Sequence, residues 1–83
     1  MNDTEVLTLV KAALEDVAPG RAAEFDAVAL ETRIRDIGID SVATMEMVGF
    51  IEERLETTFP DEDLAQVNRF SDLAELIKGA TQA

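Results

Sequence analysis

Apolar residues recur along this chain at spacings of three and four, and no stretch alternates convincingly, so the pattern predicts helices throughout. Val6, Leu7, Val10, Leu14 and Val17 share one face of a first helix running from about Asp3 or Thr4 to Val17. Pro19-Gly20 ends it, because proline disfavours helix in the preceding residue and glycine relaxes the backbone. Residues 21–39 read as a long connection with single helical turns, anchored in the core by Leu30, Ile34, Ile37 and Ile39. A second helix spans Ser41 to Glu56, capped by Asp40, whose carboxylate accepts from an orphan N–H and suits the positive helix end. Phe59-Pro60-Asp61 opens a short third helix to about Gln66, with Pro60 in its first turn. Ser71 caps a fourth, striped with Leu73, Leu76, Ile77 and Ala80. None of these helices can bury its stripe alone. The expected fold is all-α: a small four-helix bundle of three longer helices and a short third one, with a long loop between helices 1 and 2, in a single domain over residues 1–83.

The second helix breaks the simple amphipathic rule. Thr44, Met47, Val48, Ile51 and Leu55 form its core face. The opposite side carries Glu46, Glu52, Glu53 and Glu56, but also Val42, Met45 and Gly49. Two surface apolar side chains need no special explanation on their own. Placed within about a turn of Ser41 and rimmed by carboxylates, they read as a docking patch for a partner with an apolar dimple and a basic edge. Phe50 lies between the two faces, and Gly49, costly inside a helix, marks either close packing or unfilled space.

Charge sharpens this reading. The 83 residues carry a formal charge of −11, with eight acids between Asp40 and Asp63 against Arg54 alone, a net of −7 over that stretch. Nucleic acid and anionic membranes repel such a surface, whereas basic protein partners are attracted to it. There is no Cys and no His, which removes disulfides, thiolate metal sites and the commonest general base. Asp61-Glu62-Asp63 lacks the spaced ligands and central glycine of an EF-hand loop. No apolar run approaches a membrane span and the Asn2-Asp3-Thr4-Glu5 end is unlike a signal peptide, so the expected location is the cytoplasm. An enzyme is the least favoured class, since no carboxylate pair is singled out. A serine at a helix start with no base beside it is, however, a place where another enzyme can attach something.

That serine stands in Gly38-Ile39-Asp40-Ser41-Val42, which resembles the attachment signature of the acyl carrier proteins, usually Gly-x-Asp-Ser-Leu. The resemblance continues through the apolar-anchored loop, the acidic second helix with Glu46 and Glu52-Glu53, and Phe59-Pro60-Asp61-Glu62-Asp63, and the outer helices match in length and polarity. It implies that a phosphopantetheinyl transferase converts the Ser41 hydroxyl into a phosphodiester with 4'-phosphopantetheine from coenzyme A. The arm's thiol would be the only thiol on this Cys-free chain, carrying acyl groups as thioesters. The resemblance implies that Asp40 serves as cap and transferase contact. It further implies that Val42 and Met45 lie beside the arm, and that Glu46, Glu52, Glu53, Glu56 and Asp61 bind partners. Those partners are an acyltransferase, a ketosynthase or an acyl or aminoacyl ligase with basic patches, and the carrier is expected to be a monomer.

Two positions depart from the family pattern: Val42 replaces the usual Leu, and Gly49 stands where a bulky apolar residue is common. Both argue against a housekeeping fatty-acid carrier. The preference for Arg over Lys and the frequent Ala suggest a GC-rich bacterium and a freestanding carrier in a polyketide or related antibiotic pathway, as do the short ends. Two other readings stand beside this one. A peptidyl or aminoacyl carrier would more often show Gly-Gly before its Asp-Ser or His-Ser. An acidic helical interaction protein without a prosthetic group would keep the bundle and use Ser41 only to start a helix.

Overall fold

A computed structural model describes residues 1–81, so the last two residues of the expected 1–83 domain lie outside the described residues. The architecture is all-α, with helices α1 (Asp3–Val17), α2 (Ala22–Phe25), α3 (Ser41–Leu55), α4 (Asp61–Leu64) and α5 (Phe70–Thr81). Single 3₁₀ turns lie at Pro19–Arg21 and Ile34–Ile37. The three long helices, α1, α3 and α5, carry the core, with α1 packed against both of the others.

α1 starts on a reciprocal cap. Asn2 Oδ1 accepts from the Glu5 N–H at 2.8 Å, and Glu5 Oε1 accepts from the Asn2 N–H at 3.0 Å. This satisfies two backbone donors at a helix start that nothing else covers. Its inner face is Val6, Leu9, Val10, Ala13 and Leu14, so Leu9 and Ala13 take the places expected of the half-buried Leu7 and Val17. The stripe is rotated by part of a turn because α1 faces both α3 and α5, which widens the buried arc. Met47, Val48 and Ile51 of α3 and Phe70, Leu73, Ala74 and Ile77 of α5 complete the packing. Each fully buried Val, Leu, Ile, Met or Phe side chain among them contributes about 1.5–3 kcal/mol.

The connection before α3 is ordered by anchors at both ends. Phe25 and Val28 are buried alongside Ile34, while Leu30, Ile37 and Ile39 pack partly buried against the core. The Ile34 N–H donates to the Asn68 carbonyl (3.0 Å) and the Phe70 N–H to the Thr32 carbonyl (3.1 Å), closing an isolated antiparallel bridge between Arg33 and Arg69. That bridge ties the connection to the start of α5.

Several expected boundaries change. α3 stops at Leu55, and Glu56 turns into the left-handed region (φ 54°) as the cap. Pro60 caps α4 from outside its first turn, and α4 ends at Leu64 rather than near Gln66. Ser71 is not a cap: its N–H donates to the Leu30 carbonyl at 2.7 Å, one residue inside α5. The helix start is held instead by Asp72, whose Oδ2 accepts from the N–H groups of Asn68 (2.9 Å) and Arg69 (3.0 Å). Those two bonds hold the Asp72 carboxyl below its ordinary pKa. Ala80, expected on the stripe, is exposed: the buried stripe of α5 ends at Ile77. There the Lys78 ammonium, with its pKa raised by Asp3, joins the end of α5 to the start of α1.

Candidate functional site

Ser41 is the first residue of α3 and is exposed. The cap beneath it is doubly tied: Asp40 Oδ1 accepts from the Ala43 N–H at 2.7 Å, and the Asp40 carbonyl accepts from the Thr44 hydroxyl at 2.9 Å. Asp40 is thus engaged as a cap, and its carboxylate is turned onto the helix. The approach to the serine is fixed from the other side. Gly38 adopts φ 76°, a conformation side chains disfavour, and a Cβ there would stand 3.4 Å from Arg21 Nη2. The Arg21 guanidinium donates to the carbonyls of Ile37 and Gly38, stacks on the Phe25 ring at 5.3 Å, and pairs with Glu24 at 3.0 Å. The pairing lowers the Glu24 pKa. Sequence reasoning missed Arg21 altogether. Nothing in its local pattern marks it, since its carbonyl partners lie sixteen and seventeen residues away.

Ser41 opens onto a cleft of about 610 Å³ between α3, α4 and the Arg33–Arg69 bridge. Its apolar lining includes Ile39, Val48, Leu64, Val67 and Leu73, with Met45 at its edge. On the surface beside it, Val42 is 68% and Met45 60% exposed, values that set them apart from the other large apolar residues of α3. The acids distribute unequally. Glu46, Glu53, Glu56 and Asp61 are exposed. Glu52 is half-buried, and its Oε2 accepts from the Phe59 N–H at 2.7 Å, so it holds the α3–α4 turn. Arg54 stacks over Phe50 at 4.9 Å. At Gly49 nothing lies within 4 Å of where a Cβ would be, and Gly49 does not line the cleft: it marks open space on the outer side.

An exposed hydroxyl on a capped helix start suits a covalently attached phosphate. The uncommitted N–H groups and the dipole of the first turn favour an anion there. The cleft adjoining it gives a flexible, partly apolar arm somewhere to lie. The residues present fit a phosphopantetheine group.

Comparison with known proteins agrees. Residues 6–77 match the family model described as the phosphopantetheine attachment site. The actinorhodin polyketide synthase acyl carrier protein of Streptomyces coelicolor is 39% identical over 51 residues, which cover 61% of this chain and 59% of that one. An acyl carrier protein of Campylobacter fetus is 36% identical over 55 residues, covering 65% of this chain and 71% of that one. A non-reducing polyketide synthase of Aspergillus terreus is 33% identical over 64 residues, 77% of this chain, which spans only 2% of that protein's length. No solved structure matches the chain. Among the described residues no helix is long and apolar enough to cross a membrane. The chain belongs to the phosphopantetheine-binding family of acyl carrier proteins.

Proposed function

We propose that Ser41 is the attachment point of the arm, and that the face of α3 beside it receives the partner enzymes. The carrying observation is the conjunction at one helix start: an exposed hydroxyl, a cap locked by Asp40, and an approach loop clamped by Arg21. Ser41 Oγ takes the phosphoryl group as the pyrophosphate bond of coenzyme A breaks and adenosine 3',5'-bisphosphate leaves. The hydroxyl proton goes to a base on the transferase, as no His is available on this chain. When attached, the group supplies a terminal thiol to which acyl groups are linked as thioesters.

Val42 and Met45 offer the apolar centre of the docking face, and Glu46, Glu53, Glu56 and Asp61 its acidic rim. Such exposed charges act mainly through encounter rate and orientation. The partners that fit are a phosphopantetheinyl transferase followed by an acyltransferase, ketosynthase or ligase with a basic patch. The named relatives favour acyl over aminoacyl cargo, and a polyketide-type pathway among acyl pathways. The carrier acts in the cytoplasm as a monomer. The test is intact-protein mass spectrometry after incubation with coenzyme A, Mg²⁺ and a broad-specificity transferase, with Ser41→Ala alongside. One arm on the parent and none on the variant is expected; equal labelling of both moves the site elsewhere.

A further inference from the structure

Glycine inside a helix costs stability, and α3 carries one at Gly49, on its outward face. Nothing inside the molecule asks for it. Its backbone is ordinary helix, since Gly38 alone among the glycines has a positive φ. Packing does not exclude a side chain either, because no atom lies within 4 Å of where its Cβ would be. Gly79 has the same open space but lies exposed in the last turn of α5, where helices fray and a glycine matters little. Gly49 is half-buried all the same, so its bare backbone forms the floor of a recess between longer neighbours.

The neighbours give that recess its chemistry. Val42, Met45, Glu46 and Gly49 stand at i, i+3, i+4 and i+7, the four corners of a hole into which a side chain of a facing helix packs. Two corners are exposed apolar side chains, one is an exposed carboxylate, and the fourth has no side chain at all. One turn further on, the exposed Glu53 extends the acidic edge. Arg54, the one base between Asp40 and Asp63, is laid over the Phe50 ring and forms no ion pair with these acids among the described residues. Packed helices stand about 8–10 Å apart depending on the side chains between them, and a missing side chain favours the nearer end.

We propose that the Gly49 recess selects partner enzymes by one large, projecting apolar side chain, seated against Val42, Met45 and the Gly49 backbone. The side chain stands on a helix whose lysines or arginines meet Glu46 and Glu53. The apolar insertion carries the selectivity, because the exposed charges act through encounter rate and orientation. The inference rests on the docking face proposed above and adds the feature by which that face tells one partner from another.

The probes are two synthetic lysine–alanine helices of about 20 residues, identical except for one central leucine that is alanine in the second. At low salt, followed by backbone amide shifts, the leucine peptide binds the parent about tenfold more tightly, and the shifts centre on Met45 and Gly49. Added salt weakens both peptides and leaves their ratio in place. Gly49→Leu fills the recess and brings the ratio near one, and Gly49→Ala gives a value between. Both variants melt above the parent, Gly49→Ala by about 4–8 °C, so lost discrimination is not lost folding. Equal binding of the two peptides to the parent, or none by either, overturns the proposal. So does a ratio that salt abolishes or that Gly49→Leu leaves intact, or a set of shifts centred away from α3. Gly49→Ala melting below the parent overturns it too, since the glycine would then serve internal packing. The carrier reading fails separately: a parent that takes no arm on Ser41 sinks that reading whichever peptide binds.

Discussion

The guanidinium of Arg21 donates to the carbonyl of Gly38 at 3.1 Å, three residues before Ser41, and so couples the end of the first turn after α1 to the approach of α3. With its second bond to the Ile37 carbonyl it satisfies two backbone acceptors that neither helix provides for. Arg21→Ala should cost about 1–3 kcal/mol through lost charge-assisted bonds and the Phe25 stack. It should also slow arm attachment severalfold with α3 intact, because the loop presenting Ser41 loosens. Urea melts beside transferase kinetics check this, and unchanged attachment rates would make Arg21 purely structural.

Gly38→Ala tests the same contact from the opposite side. The left-handed conformation at φ 76° costs a non-glycine residue roughly 1–2 kcal/mol. A melting temperature within a degree of the parent would show that the turn relaxes freely.

Glu52 and Glu53 are adjacent in sequence and different in role. Glu52→Gln weakens the bond to the Phe59 N–H and should lower stability by about 1 kcal/mol. Glu53→Gln, at an exposed position, should stay within about 0.5 kcal/mol. Conversely, Glu46→Lys with Glu53→Lys should reduce the rate of partner acylation about tenfold at low salt while leaving the melt unchanged. Equal rates would place recognition off this face.

Asp72 gives the fold a defined acid sensitivity. Its folded pKa is lowered by the Asn68 and Arg69 N–H groups. The stabilisation is therefore present above the ordinary aspartate pKa of about 3.9 and is lost as pH falls through the lowered folded value. Asp72→Asn should melt a few degrees below the parent at pH 7, and the gap should narrow as pH falls below the ordinary aspartate range. A gap that does not change with pH on the acid side contradicts the assignment.

Repulsion within the −11 charge predicts a melting temperature that rises with salt or Mg²⁺. A melt indifferent to both would show that the charges are too dispersed to matter.

The three long helices were legible because their apolar spacing is regular, and Asp40 because a cap acts locally. Asn2 and Glu5 also stand at capping-box spacing, a local signal for the start of α1. Ser71 misled, since serine is a common cap and only the tertiary bond of its N–H to Leu30 shows it displaced by Asp72. At the site, Val42 and Met45 stood out by period, and the structure leaves both exposed. Arg21, the inward turn of Glu52 and the Arg33–Arg69 pair depend on contacts between segments distant in sequence or on the path of a turn, which periodicity does not encode.

The central claim, that the arm sits on Ser41, is tested most directly by peptide mapping of the loaded protein with tandem mass spectrometry. The chain has two serines, Ser41 and Ser71, and only Ser41 is exposed, at the lip of the cleft. The whole added mass should lie on the peptide containing Ser41. An arm on the Ser71 peptide, or none on either, would contradict it.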